Sequence, residues 1–250
     1  RKSKATTLLE NKGFQEDNII TSTFTLFSLQ NNKNDCKNKN INVYIEGDGL
    51  SWINKRTISN DPTPINLLTL KLMNEDNSTC KVYLARPCQF TTSSLCNDKY
   101  WTSHRFSQEV IKSYEESLDY LKEKYNNKTF TLIGYSGGGA VATIVTSKNK
   151  DVKRLITIAG NLDIDKWTKI HKVSKLENSL NPIDYVAGLE NIEQFHLIGE
   201  RDKIIPKDIF LSYFSKFEKK DKIKYLLVDA NHSCCWEKPY KIFLDSFNTF

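Results

Sequence analysis

Apolar residues along the chain recur with two periods, and the alternation between the periods predicts the architecture. Short apolar runs of strand length occupy 41–47 (INVYIEG), 80–87 (CKVYLARP), 129–136 (TFTLIGYS), 152–160 (VKRLITIAG), 193–200 (EQFHLIGE) and 222–230 (KIKYLLVDA). Residues 19–30, IITSTFTLFSLQ, alternate enough to predict one further strand. Between these runs the period lengthens. In 107–125 the apolar positions Val110, Ile111, Tyr114, Leu118 and Leu121 form one face of a helix. Helices are also predicted over 1–13, near 65–74, over AVATIVTSK (140–148), over 207–217 and near 238–248. The polar stretch NNKNDCKNKN (31–40) reads as a loop. Strands that alternate with helices predict an α/β fold, a mostly parallel sheet with helices on both faces. No internal repeat or long linker interrupts residues 1–250, so the chain reads as a single domain. Such sheets form their sites at the carboxyl ends of strands. That rule selects Gly47-Asp48-Gly49, Arg86, Ser136, Asp202 and His232.

Composition narrows the picture only a little. Of the 250 residues 39% are hydrophobic and 26% charged, which suits a folded globular chain. No apolar run approaches the roughly 18 residues that span a bilayer. The net charge of +6 is spread along the chain, with lysines beside Asp and Glu. Without a basic stripe and interleaved aromatics, no nucleic-acid partner is expected. The chain opens at Arg1 rather than Met. The expectation is a processed protein, with any membrane association carried by a missing N-terminal segment. Six cysteines occur and none forms a C-x-x-C pair, so no metal site is expected. Cys88 and Cys96 flank a short polar loop, which predicts a disulfide and an extracytoplasmic setting, with reduced cytoplasmic thiols as the alternative. The neighbours Cys234 and Cys235 are expected to be free unless one captures a cysteine of the 88–96 loop. The sequon Asn231-His232-Ser233 would put a glycan on a loop needed below, which counts against a eukaryotic secretory origin.

The chemistry concentrates in LIGYSGGGAVA, where four of the ten glycines fall within 134–139 around one serine. Gly134-Tyr135-Ser136-Gly137-Gly138 is a G-x-S-x-G pattern between a predicted strand and a predicted helix. A serine on so sharp a turn needs flanking residues without side chains, and the N–H after it points into the site. The stretch lacks the lysine of a P-loop and the spacing of a dinucleotide fingerprint, and no cofactor is expected. Serine needs a base to be a nucleophile at neutral pH. Of four histidines, only His232 lies both downstream of Ser136 and at a strand's carboxyl end. His196 sits inside a strand and reads as a core histidine. An acid must orient the imidazole, and Asp202 is preferred to Glu200 and Asp229, the last being only three residues from His232. An oxyanion pocket needs two N–H donors. Gly137 is the first; the second is the backbone of Asp48, with Gly49 or Leu50 as fallbacks. The Asp48 carboxylate must then point away or pair with Arg56, Arg86 or Arg105.

The stretches VYIEGDGLSW, DPTP, LARPCQF, YWTSHRFS, LIGYSGGGAVA and IAGNLD resemble a family of bacterial α/β hydrolases, many of them described as lipoproteins. The resemblance spans roughly residues 40 to 235. It implies the α/β-hydrolase fold, a triad of Ser136, Asp202 and His232, and an extracytoplasmic, lipid-anchored setting. Where many relatives of the fold carry His-Gly, this chain has Glu46-Gly47. In the implied fold the strands ending at Gly47 and Arg86 are parallel neighbours, which makes Cys36–Cys80 a second expected disulfide.

Residues 161–192 occupy the position of a short lid or cap. Tyr135, Trp52, Trp101 and Trp236 lie near strand ends and are candidates for an aromatic pocket wall that would suit an apolar acyl or small aromatic ester. The leading expectation is a serine hydrolase of carboxylic or thioesters, acting on a small-molecule or acyl substrate. A serine peptidase or amidase shares the same residues, and a catalytically silent binding module shares the same fold.

Overall fold

The computed structural model describes residues 1–10, 12–31 and 36–247. In chain order the elements are α1 (Lys2–Glu10), β1 (Gln15–Ile20), β2 (Thr25–Gln30), β3 (Asn40–Ile45), β4 (Trp52–Asn54), β5 (Thr57–Ile58), α2 (Leu68–Glu75) and β6 (Lys81–Leu84). A 3₁₀ turn at Asp98–Trp101 leads into α3 (Gln108–Tyr125), β7 (Thr129–Tyr135), α4 (Gly137–Lys148), β8 (Val152–Ile158) and α5 (Ile164–His171). A second 3₁₀ segment, Pro182–Leu189, precedes β9 (Glu193–Gly199), α6 (Lys207–Ser215), β10 (Ile223–Val228) and α7 (Glu237–Phe247).

Eight strands form one sheet in the order β1-β2-β6-β3-β7-β8-β9-β10. From β6 to β10 every pairing is parallel; β1 and β2 add an antiparallel edge. The parallel strands from β6 to β9 are largely buried on both faces, which is why they read as continuous apolar runs, whereas the edge strand β10 is exposed at 224–227. On β3, Ile41, Val43 and Ile45 pack on one face with Val110, Leu118 and Ile144 of α3 and α4. Tyr44 points to the other face, with Leu72 of α2 and Tyr240 of α7. Both faces are therefore covered, and the carboxyl ends of β3, β7, β9 and β10 open at one pole.

Ser107 caps α3 by accepting from the Val110 N–H, and Asn126 ends that helix in the left-handed conformation at φ 49°. The helix then leads directly into β7, the strand that carries the serine.

Three expectations change. The segment 19–30 is not one strand: β1 and β2 form a hairpin whose turn is closed by Thr21 N–H to Phe24 O at 3.0 Å. The Thr21 hydroxyl also donates to Phe24 O and accepts from its N–H. Threonine reads as a strand former, yet here its side chain satisfies the local backbone and makes the turn. The helix expected over 1–13 spans Lys2–Glu10, residue 11 lies outside the described residues, and Gly13 follows with φ 76°. The small β4–β5 hairpin was not anticipated; the loop expected at 31–40 lies partly outside the described residues.

Cys36–Cys80 and Cys88–Cys96 are disulfides with Cα atoms 5.5 and 5.7 Å apart. The register places Asn42 opposite Lys81, so Cys36 and Cys80 meet where β3 and β6 begin. Cys234 and Cys235, expected to be free, form a disulfide with each other. The loop turns back on itself there, with Cys235 at φ 81°, which brings neighbouring thiols together.

The segment 161–192 lies between β8 and β9. It is held from within by Ile164 N–H to Asn181 Oδ1 at 3.0 Å. It is tied to the approach to α3 by Leu180 N–H to Phe106 O at 2.9 Å and by Ser179 Oγ to Ser103 O at 2.7 Å.

Candidate active site

Ser136 stands between β7 and α4 at φ 53°, ψ −119°, in a region that non-glycine residues rarely adopt. Holding it there costs roughly 1–3 kcal/mol, so the surroundings must enforce it. They do so through backbone: Ser136 N–H donates to Ile158 O of β8, and Ser136 O accepts from Gly139 and Asn161. The glycines let the chain close. A Cβ on Gly134 would lie 2.2 Å from Gly138 O, and one on Gly138 would lie 2.3 Å from Ile45 O of β3. The glycine-rich turn is thus an arrangement that only these residues permit.

His232, in the loop after β10, brings Nε2 to 3.0 Å from Ser136 Oγ. Its Nδ1 is 2.9 Å from Asp202 Oδ2. In the neutral tautomer that donates its Nδ1–H to this carboxylate, Nε2 is the acceptor facing the serine. The Asp202 side chain has no solvent exposure. Its other oxygen accepts from the N–H groups of Ile204 and Ile205 at 2.9 and 2.8 Å. Three donors therefore hold the carboxylate in place. The alternatives are elsewhere: Asp229 is exposed and pairs with Arg201 at 2.7 Å, and Glu200 is exposed.

The imidazole is also held from the side. Tyr135 stacks against it with centroids 5.4 Å apart, and its hydroxyl donates to His232 O at 2.7 Å. Burial pushes the Tyr135 phenol far up, so it remains a neutral donor. Asn231 Oδ1 accepts from Ser233 and Cys234 N–H, folding the loop just past the histidine.

Among the described residues, the N–H groups of Gly137, of Asp48 and of the fallback Gly49 donate to no protein acceptor. Leu50, a fallback, is already committed, donating to Pro62 O at 2.9 Å. The Asp48 carboxylate pairs with Arg86 at 2.9 Å and Arg105 at 2.8 Å, and not with Arg56. Burial alone would raise its pKa, but Arg105 and Arg86 outweigh that and hold it below the ordinary value. Glu46, which stands where many relatives of the fold carry His, is buried directly before this loop. Burial raises its pKa against hydrogen bonds from the Thr69 and Tyr83 hydroxyls and Gly47 N–H.

The aromatic wall is not assembled as expected. Trp236 is 0% exposed and cannot line an open pocket. It packs beneath the histidine loop, where its indole N–H donates to Asn231 O at 2.9 Å. Trp52 is 42% exposed on the β4–β5 hairpin. Trp101 donates to Ser59 O at 2.9 Å and ties that hairpin to the 3₁₀ turn. Of the four aromatics only Tyr135 stacks on the His232 ring, while Trp236 reaches the His232 backbone carbonyl at 3.3 Å.

Residues 86–177 match the family model described as the α/β hydrolase fold. No curated protein is significantly similar to the chain in sequence. Solved structures align over nearly the whole length. The Pyrococcus furiosus esterase Pf2001 is 13% identical with a TM-score of 0.68, covering 96% of this chain and 93% of its own. The chain has the α/β-hydrolase fold. Est1E from Butyrivibrio proteoclasticus is 11% identical with a TM-score of 0.65, covering 95% and 98%. An alpha-beta serine hydrolase homologue from Coxiella burnetii is 11% identical with a TM-score of 0.64, covering 93% and 96%. Ser136 follows β7, Asp202 follows β9 and His232 follows β10, so the three occur in the chain order Ser, Asp, His.

Proposed function

We propose that the protein is a serine hydrolase that cleaves carboxylic ester or thioester bonds through an acyl-enzyme. The observation that carries this reading is the continuous chain Ser136 Oγ–His232 Nε2–Asp202, at 3.0 and 2.9 Å. Similarity of fold to proteins named as esterases and serine hydrolases supports it by analogy.

Ser136 Oγ attacks the substrate carbonyl while His232 Nε2 takes the hydroxyl proton. Asp202 holds the imidazole and stabilises its cation. The negative oxygen of the tetrahedral intermediate is received by the N–H groups of Gly137 and Asp48. As the intermediate collapses, His232 gives the proton to the departing alcohol or thiol, leaving the acyl group on Ser136. Water then attacks the acyl-enzyme with His232 as base, and the acid product leaves. Three disulfides favour an oxidising, extracytoplasmic setting.

A fluorophosphonate probe is expected to label Ser136, with label and turnover of ester or thioester substrates both lost in Ser136→Ala. Asp202→Asn should fold normally and lose about 10⁴ in kcat, as the comparable change does in another triad enzyme. Asp229→Asn should be near wild type. Labelling at another serine, or cleavage of peptides alone across a mixed substrate panel, would sink the proposal.

A further inference from the structure

The oxyanion-binding loop follows β3, but the groups that aim it lie on the turn after β6. That turn has an unusual backbone: Cys88 and Phe90 both have positive φ, at 70° and 62°. Cys88 is bridged to Cys96, and the Phe90 N–H donates to the Thr63 hydroxyl at 2.8 Å. Gln89, between them, is 1% exposed and satisfied on both sides. Its Oε1 accepts from Arg86 N–H at 3.0 Å, and its Nε2 donates to Gly47 O at 3.0 Å.

The second bond matters because of which peptide it grips. Gly47 C=O and Asp48 N–H belong to one peptide unit. That unit is planar and trans, so its carbonyl and N–H point in opposite directions. Fixing the carbonyl therefore fixes the direction of the N–H. The Gln89 amide holds the back of the unit whose front is the Asp48 donor. The rest of Asp48 is anchored independently: its carbonyl accepts from Ser51 Oγ at 3.1 Å, and its carboxylate is held by Arg86 and Arg105.

Electrostatics follows the same design. The Asp48 carboxylate lies against the elbow, since a Cβ on Gly137 would be 2.0 Å from its Oδ1. Unpaired, it would oppose a developing oxyanion. Two guanidinium groups offset it, and Arg86 Nη1 would be 2.9 Å from the same Cβ position. Formally the trio carries one net positive charge. Arg86 thus bridges both devices, its backbone N–H held by Gln89 and its side chain by Asp48.

We propose that Gln89 is a positioning residue for the oxyanion pocket, acting through the Gly47–Asp48 peptide, with Arg86 setting the charge beside it. This rests on the serine hydrolase reading above. It assigns to the Cys88–Cys96 loop the task of aiming a donor that lies on a different strand's loop.

The test is Gln89→Met, which keeps length and removes both hydrogen bonds. Losing a whole oxyanion donor costs about 10²–10³ in rate, so mis-aiming one should cost about ten- to a hundredfold in kcat. KM should change less than threefold. Affinity for a trifluoromethyl ketone, which presents an oxyanion when bound to the serine, should weaken in proportion to kcat/KM. Gln89→Glu, which keeps the volume and the acceptor but loses the donor to Gly47 O, should show the same split. It decides the matter if the methionine variant does not fold. A folded variant that keeps kcat within twofold, or one that loses KM and leaves kcat and inhibitor affinity unchanged, overturns the proposal. If wild type resists the fluorophosphonate or Ser136→Ala remains active, the serine hydrolase reading has failed instead.

Discussion

Two histidines on the same sheet show how local surroundings decide what a residue does. His232 sits at a strand's end, partly open, between a serine and a carboxylate. His196 lies within β9, 1% exposed, with ring nitrogens bonded to Thr157 Oγ1 at 2.6 Å and Gln194 Oε1 at 2.9 Å. Burial pushes its pKa down to about 3. The unfolded chain takes up a proton at this ring below about pH 6.5, and the folded chain does not until near pH 3. Acid therefore favours unfolding through that window, with the group contributing up to about 1.4 kcal/mol per pH unit. In His196→Gln the fall of stability from pH 6.5 towards pH 4 should flatten by about that slope, measured by urea unfolding at each pH. An unchanged slope would mean that the ring is protonated in the fold. Its reading as a core histidine followed from one fact, its place mid-strand in EQFHLIGE.

At the scale of elements, legibility followed burial. The inner parallel strands announced themselves because both faces are covered and few polar residues interrupt them, and the exposed edge strand β10 did so through its run of apolar residues alone. The turns were legible only where a residue type had one reason to be there. Ser136 among glycines met that condition. Thr21 did not, since a threonine that closes a hairpin and one that extends a strand look alike in sequence. Trp236 was placed near the right strand end, but proximity along the chain does not say which way an indole faces. The disulfide of Cys234 and Cys235 was missed because it depends on backbone bending within two residues. Asp48 illustrates the middle case: its need for a cationic partner was clear, and only the fold could choose Arg86 and Arg105 over Arg56. The close approach of α4 to β3 gives a prediction. A Cβ on Gly138 would meet Ile45 O at 2.3 Å and Glu46 O at 2.5 Å, both backbone atoms that cannot step aside. Gly138→Ala should therefore destabilise by about 3 kcal/mol or more, the upper end for overpacking, read from denaturant unfolding. A loss below about 1 kcal/mol would mean that the two elements separate easily.

Across the whole molecule the two larger disulfide loops divide stability from function. Cys36–Cys80 joins the starts of β3 and β6, at the pole opposite Ser136, with a sequence separation of 44. Cys88–Cys96 spans 8 positions and leaves β6 at the active-site pole. Chain entropy makes the longer loop worth more, about 4 kcal/mol against about 2.5 kcal/mol for the shorter. Function should rank them the other way. The longer bridge touches nothing in the site, whereas the shorter one braces the turn that carries Gln89 and hence the Asp48 N–H. Cys36→Ser with Cys80→Ser should lower the urea midpoint more and leave kcat near wild type below the transition. Cys88→Ser with Cys96→Ser should lower the midpoint less and cost kcat severalfold at unchanged KM. Equal losses of kcat in both variants would mean that the turn after β6 keeps its shape without its bridge. The opposite ranking of stability would mean that strain or residual unfolded structure, rather than loop length, sets what each bridge contributes.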